Sequence, residues 1–224
     1  MCCLFLAASS TVAIAQTNVV DLVNPIIGTN GMGHTFPGAC VPFGLVQLSP
    51  DTDTIPHNVD GKYQPRSYEY CAGYQHKDSS IVGFSHTHFS GTGHSDLGDI
   101  LIMPTTGTLK LNPGTATNPD GGYRSRFSHD TEISRPGYYE VMLADYGVKA
   151  QLTTTQRAGI HKYTYPTNSE NQRIILDMIH GIYNYDGKVL WTNIRVENDT
   201  LVTGYRITNG WARTNYTYFA MSFS

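Results

Sequence analysis

An all-β fold, more narrowly a β-sandwich, is what this sequence predicts, on three observations. Its 224 residues include 22 Gly and 15 Tyr but only 15% charged residues, a balance that favours strands and turns over helices. Short β-rich runs recur along the chain with turn residues between them. Period-two alternation is clear in Val148-Lys-Ala-Gln-Leu-Thr-Thr-Thr155, the pattern of a half-buried strand.

The elements follow in order. Residues 1–15 carry no charge, contain an apolar run and end in Ala13-Ile14-Ala15, which reads as a signal peptide cut before Gln16. That leader implies an exported protein, periplasmic or secreted. Residues 16–224 are then one β domain. Val19 to Val23 is a short helix ended by Pro25. Strands are expected at Phe43–Leu48, Ser79–Ser85, Ile100–Met103, Tyr138–Leu143, Val148–Thr155, Ile174–Ile179, Val189–Glu197, Leu201–Thr208 and Tyr216–Phe223. Tyr185-Asp-Gly-Lys188 and Glu197-Asn-Asp-Thr200 supply hairpin turns. The last run reads as a strand that stops without a turn or polar tail, which predicts a domain truncated at its carboxyl end.

Lys and Arg total 15 against 18 Asp and Glu and are scattered, so the basic stripe that a phosphate backbone needs is absent. Nucleic acid is set aside as a partner. No second apolar run reaches the length of a membrane span. Past the leader the cysteines are Cys40 and Cys71, which an export compartment would permit to bond, and which are too few for a disulfide scaffold or a cysteine-based zinc site.

Three segments concentrate chemistry. Gly83-Phe-Ser-His-Thr-His-Phe-Ser-Gly-Thr-Gly-His-Ser-Asp-Leu-Gly-Asp99 places His86 and His88 on one face of a strand, with His94 and Asp96 beyond two glycines. It admits a zinc or iron site, a wall that hydrogen-bonds a polar ligand, or an ordered turn. Gly28-Thr-Asn-Gly-Met-Gly-His-Thr-Phe-Pro-Gly38 lacks the Gly-Lys-Ser/Thr ending of a phosphate loop and offers one polar group, His34, and one aromatic, Phe36. Tyr68-Glu-Tyr-Cys-Ala-Gly-Tyr-Gln75 reads as a strand whose alternating aromatics share a face, either a sugar-stacking platform or a packed sheet surface.

Several ordered blocks resemble one family. Asn24-Pro-Ile-Ile-Gly-Thr29, Gly33-His-Thr-Phe-Pro-Gly-Ala39, Val41-Pro-Phe-Gly-Leu-Val-Gln-Leu-Ser-Pro-Asp51, Gly83-Phe-Ser-His-Thr-His88, Ser90-Gly-Thr-Gly93 and Asp96-Leu-Gly-Asp-Ile-Leu-Ile-Met-Pro-Thr-Thr-Gly107 are similar to the amino-terminal domain of glycoside hydrolase family 92. The likeness continues through Phe127-Ser-His-Asp-Thr-Glu132, Pro136-Gly-Tyr-Tyr139 and Leu152-Thr-Thr-Thr-Gln-Arg-Ala-Gly-Ile-His161 to Gly210-Trp-Ala-Arg213.

The resemblance implies a calcium-dependent exo-α-mannosidase built from an amino-terminal β-sandwich, a helical connector and an α/α barrel, with the active site between the two domains. It implies an inverting reaction by two carboxyl groups roughly 6.5–9.5 Å apart. The acid, the base and most calcium contacts would come from the barrel, so no residue here is assigned a catalytic or metal-binding role, and Asp99 reads as structural. The sandwich loops would form one wall of the mannose pocket, with His34, Phe36, Tyr68, Tyr70, Cys71, His86, His88 and Asp96 on it. Tyr68 and Tyr70 stand where relatives often carry tryptophans. The implied partners are a mannose-containing glycan and the barrel of the same chain, docked on an apolar face. Two other readings remain: a stand-alone carbohydrate-binding sandwich and a histidine-based metalloenzyme.

Overall fold

The computed structural model describes residues 18–94 and 96–224, so the leader reading on residues 1–15 lies outside the described residues. The chain enters through a short 3-10 helix, Val19–Leu22, whose first turn is capped by the Asn18 side chain accepting from the Val20 amide at 3.2 Å. Val23 is already extended, and Pro25 follows, as expected for a helix stopped before proline.

The strands in chain order are β1 (Ala39–Cys40), β2 (Gln47–Asp51), β3 (Asn58–Val59), β4 (Lys62–Tyr63), β5 (Ser80–Ile81), β6 (Gly83–Ser85), β7 (Leu101–Thr105), β8 (Ser125–Arg126), β9 (Ile133–Arg135), β10 (Tyr138–Leu143), β11 (Val148–Thr154), β12 (Gly159–Thr164), β13 (Arg173–Asp177), β14 (Val189–Asn198), β15 (Leu201–Thr208) and β16 (Asn215–Ser222). Among the described residues the larger sheets run β1-β2-β6-β7-β13, β12-β11-β10-β9 and β14-β15-β16. The all-β expectation therefore holds.

The first two sheets face each other as a sandwich because their alternating residues demand it. In β10 and β11 the inward residues Tyr139, Val141, Leu143, Val148, Ala150 and Leu152 are at most 1% exposed, while their sequence neighbours reach solvent. They meet Leu48 of β2, Phe84 of β6 and Leu101 and Met103 of β7 in one apolar cluster. Each large side chain buried there contributes roughly 1.5–3 kcal/mol.

The third sheet is tied to the sandwich by polar contacts. Arg206 of β15 is fully buried, pairs through Nε with Asp99 Oδ1 at 2.9 Å, and donates from Nη1 to the His180 carbonyl at 2.6 Å. Lys188, 1% exposed, pairs with Asp96. A cleft of about 1260 Å³ opens between β12 and β16, with His86, His161 and Phe219 among its walls.

Some expectations are corrected. Phe43 is no strand residue: its φ is 58°, the Gly44 amide bonds to the Val41 carbonyl at 3.0 Å, and this turn delays β2 to Gln47. Ser79–Ser85 divides, with β5 pairing β8 and β6 pairing β2. Tyr185–Lys188 closes a turn, Lys188 N to Tyr185 O at 2.9 Å, but no strand precedes it, so there is no hairpin. Glu197–Thr200 does join β14 to β15, with the Asn198 carboxamide accepting from Thr200 N at 2.9 Å. Cys40 and Cys71 are free thiols.

Candidate functional site

The segment Tyr68 to Tyr70 does not form a strand. Pro65 occupies the first turn of a 3-10 helix, Pro65–Tyr70, and Gln64 caps it by accepting from Arg66 N at 3.3 Å. Proline pre-sets the φ of a helical turn and has no N–H to waste there. The shared aromatic face is therefore lost. Tyr68 points out and is 39% exposed, whereas Tyr70 is 2% exposed and donates to both oxygens of Asp78 at 3.1 and 3.0 Å. Cys71 lies beneath, 2% exposed, its thiol pushed up to about 11 by burial. Tyr70 and Cys71 thus support the wall from behind.

His34 meets Tyr68 edge to face, ring centroids 4.7 Å apart. Its backbone adopts φ 51°, and its carbonyl accepts from the Gly91 amide at 2.6 Å. Nε2 of His34 is buried and has no hydrogen-bond partner among the described residues, an arrangement that asks for a partner from outside the chain. Gly93 lets the loop pass close to Tyr68: a Cβ there would lie 2.8 Å from the tyrosine hydroxyl.

The same loop carries Phe89 and His94 to a second group of rings. Phe89 lies 5.7 Å from Trp211, His94 lies 5.7 Å from Trp211 and 5.3 Å from His57, and His57 stacks on Tyr183 at 3.6 Å. Phe89 and Trp211 are about half exposed. Burial, then the neighbouring His94, holds the His57 imidazole below its usual pKa. Of these rings only His94 was singled out from the sequence, and there as a possible metal ligand. Phe89 lay inside the glycine-rich segment, but Tyr183 reaches it through the Ile182 amide bond to the Leu97 carbonyl and Trp211 through the third sheet.

The remaining expected residues are drawn elsewhere. Strand β6 ends at Ser85, so His86 and His88 share no face. His88 is 1% exposed, with Nδ1 2.7 Å from the Gln47 carbonyl and Nε2 2.9 Å from Asp51 Oδ1. Its ring also lies 5.2 Å from that of Phe36. Asp51 takes a second contact from His180 Nε2 at 2.7 Å. Burial alone would raise the Asp51 carboxyl, but the two histidines outweigh it and hold it well below the carboxylate range.

His86 turns to the Ile100 carbonyl at 2.6 Å and to His161 at 3.0 Å. Asp96 is spent on Lys188 and on the Trp211 amide at 3.0 Å, so it positions the Trp211 loop. Asp99 pairs with Arg206, as a structural role requires. The histidine metal centre imagined for this segment is not assembled, because its members lie in separate clusters. Nor do the flanking carboxylates fit calcium by themselves: Asp51, Asp53, Asp96 and Asp99 each have a basic partner, and a hard cation wants six to eight free oxygens.

What the loops offer is a polar and aromatic surface: an exposed tyrosine, an indole across a glycine loop, and beneath the tyrosine a buried imidazole nitrogen with no hydrogen-bond partner among the described residues. Rings of this kind stack on apolar faces while polar atoms bond to hydroxyls.

Comparison with known proteins identifies the family. Residues 22–224 match the family model described as the glycosyl hydrolase family 92 N-terminal domain. The fold is similar to the family GH92 alpha-mannosidase of Bacteroides thetaiotaomicron in complex with mannoimidazole, with TM-score 0.83, 45% identity, and coverage of 92% of this chain and 25% of that one. The structure of that enzyme without the ligand gives TM-score 0.81, 45% identity and coverage of 92% and 26%. An uncharacterized secreted glycosidase of Arthroderma benhamiae is 29% identical over 170 residues, 72% of this chain and 19% of that protein. The chain therefore spans about a quarter or less of the length of these relatives. Its sequence and fold together show that it belongs to glycosyl hydrolase family 92, as that family's N-terminal domain.

Proposed function

We propose that this domain is the sandwich half of an exported α-mannosidase that removes terminal α-linked mannose with inversion, and that its loops form one wall of the sugar pocket. The observation that carries the reading is the exposed ring of Tyr68 beside the buried His34 Nε2, which has no hydrogen-bond partner among the described residues. The ring stacks on a sugar C–H face, and the imidazole bonds a hydroxyl. Trp211, held in place through Asp96, extends the wall on the far side of Gly91–Gly93.

The acid, the base and the calcium ligands are assigned to a helical domain, since Asp51, Asp53, Asp96 and Asp99 each have a basic partner. When bound there, calcium would supply oxygen ligation to mannose hydroxyls. That domain would dock on the outer face of the third sheet, where Trp191, Tyr216 and Tyr218 are 59%, 57% and 70% exposed. Export is supported by the leader reading and by the relative described as secreted. Among the described residues no helix is long and apolar enough to cross a membrane.

Calorimetric titration of the chain with mannose and with glucose tests the wall. Weak, millimolar binding that prefers mannose and disappears in His34→Ala is expected. No heat with either sugar, or equal binding by the variant, would overturn it.

A further inference from the structure

Beyond the residues of the sugar wall, three metal-ligating side chains converge for which the mannosidase reading has no use. His76 follows the 3-10 helix Pro65–Tyr70, while His129 opens a one-turn 3-10 helix, His129–Thr131, that Glu132 ends. Residues i and i+3 eclipse in a 3-10 turn, which places the His129 ring over the Glu132 carboxylate, Nδ1 to Oε2 at 2.7 Å. The rings of His76 and His129 are 4.0 Å apart. One ligand atom from each of the three lies within 4.8 Å of the others, and no other such group of His, Cys, Asp or Glu occurs among the described residues.

We propose that His76, His129 and Glu132 bind one divalent transition-metal ion, zinc by preference, as a clasp between the segment that carries the sugar wall and the start of β9. Two imidazoles and one carboxylate are a zinc donor set, with solvent completing the coordination on the exposed side.

The surroundings are built for it. The Glu132 side chain is 3% exposed and is oriented by two buried phenols: Tyr139 donates to Oε1 at 2.6 Å, and Tyr74 donates to Oε1 at 2.8 Å and Oε2 at 3.0 Å. Such outer hydrogen bonds fix a ligating carboxylate and leave its remaining lone pairs for the metal. Among the described residues the ion-pair partner of this buried carboxylate is His129 alone. No Lys or Arg neutralises it, and a divalent cation would.

Small side-chain rotations bring the three atoms to the roughly 3.3 Å separations that bonds of about 2.0–2.1 Å at tetrahedral angles require. The metal then replaces the proton on Nδ1 of His129, and the ring carries its proton on Nε2.

The test uses the untagged chain after chelator treatment, titrated with zinc by calorimetry and with cobalt by visible absorption. One saturable equivalent in the micromolar range or tighter is expected, with a ligand-field spectrum showing nitrogen ligation and a rise in Tm. His76→Gln and His129→Gln should each weaken zinc binding at least tenfold and abolish the Tm rise, while His94→Gln, in the aromatic group of the sugar wall, should leave both unchanged. Among the described residues the half-buried His76 side chain meets the Tyr74 hydroxyl and the His129 ring, and its amide bonds the Thr29 carbonyl, so its glutamine variant should keep the fold, as far-UV circular dichroism would verify. Absence of saturable zinc binding, or undiminished binding by a folded His76→Gln protein, would overturn the proposal.

Discussion

His86 Nε2 lies 3.0 Å from His161 Nε2, joining the loop after β6 to β12 through two imidazoles. The chain of partners fixes the protons. His86 Nδ1 donates to the Ile100 carbonyl, His161 Nε2 donates to His86, and the Tyr163 hydroxyl donates to His161 Nδ1 at 2.7 Å. Every bond is satisfied with both rings neutral. Burial holds His86 below its usual pKa and His161 well below it, the latter helped by its neighbour.

A pH dependence follows. A histidine whose folded pKa is depressed contributes stability that is complete above its unfolded pKa near 6.5 and is lost as pH falls below it. Tm measured by circular dichroism should therefore drop between pH 7 and pH 5, the pair titrating as one unit. His57 adds to the same window, so the decisive comparison is His161→Gln. That variant should be less stable at pH 7 but show a shallower fall, and an unchanged slope would refute the neutral pair.

Asp51 makes the opposite contribution at lower pH. Its folded pKa is depressed, so the stability it confers is present above the unfolded value near 3.9 and is lost as pH falls toward the folded one. Asp51→Ala removes the buried acceptor shared by His88 and His180 and should cost about 2–5 kcal/mol. Asp51→Asn can still accept from His180 and donate to His88, and should cost less. Urea titrations at pH 5 and pH 3.5 check both, with the asparagine variant losing less between the two.

Gly73 must be glycine for two separable reasons. Its φ is +79°, and a Cβ would lie 2.1 Å from Asp51 Oδ1. Gly31 has φ +58° with nothing near its would-be Cβ. Gly31→Ala should therefore cost only the backbone term, about 1–2 kcal/mol, and Gly73→Ala clearly more. Equal denaturation midpoints for the two variants would mean that the Asp51 contact carries no penalty.

The parts legible in sequence are those governed by local pattern. Tyr138–Leu143 alternates cleanly, it and Leu201–Thr208 were placed to the residue, and Asn198 marks its hairpin. Strand β12 was missed because its inward residues, His161 and Tyr163, are polar-tipped and engage one another rather than reading as an apolar face. Phe43 misled because an apolar residue after proline looks like strand, yet it caps a turn and is fully exposed. At the site, His34 and Tyr68 were found through glycine and aromatic motifs. Their division of labour with Tyr70 depends on Pro65 starting a 3-10 turn. Trp211 needed the Asp96–Lys188 pair and the whole third sheet to reach the loop, contacts that no local pattern encodes.

That long-range construction yields the last expectation. Tyr68 and Trp211 are exposed, so removing either ring should leave Tm within a degree or two while weakening mannose binding about tenfold, or about 1.4 kcal/mol. Lys188→Met should weaken binding as well, but through a different route. The freed Asp96 would lose its buried counter-ion, destabilising the domain and releasing the Trp211 loop. The two mechanisms separate by measuring sugar affinity and Tm together. Tyr68→Ala and Trp211→Ala should move affinity alone, Lys188→Met both. If Trp211→Ala binds mannose as tightly as the parent, the wall ends at Gly93 and the indole serves only the fold.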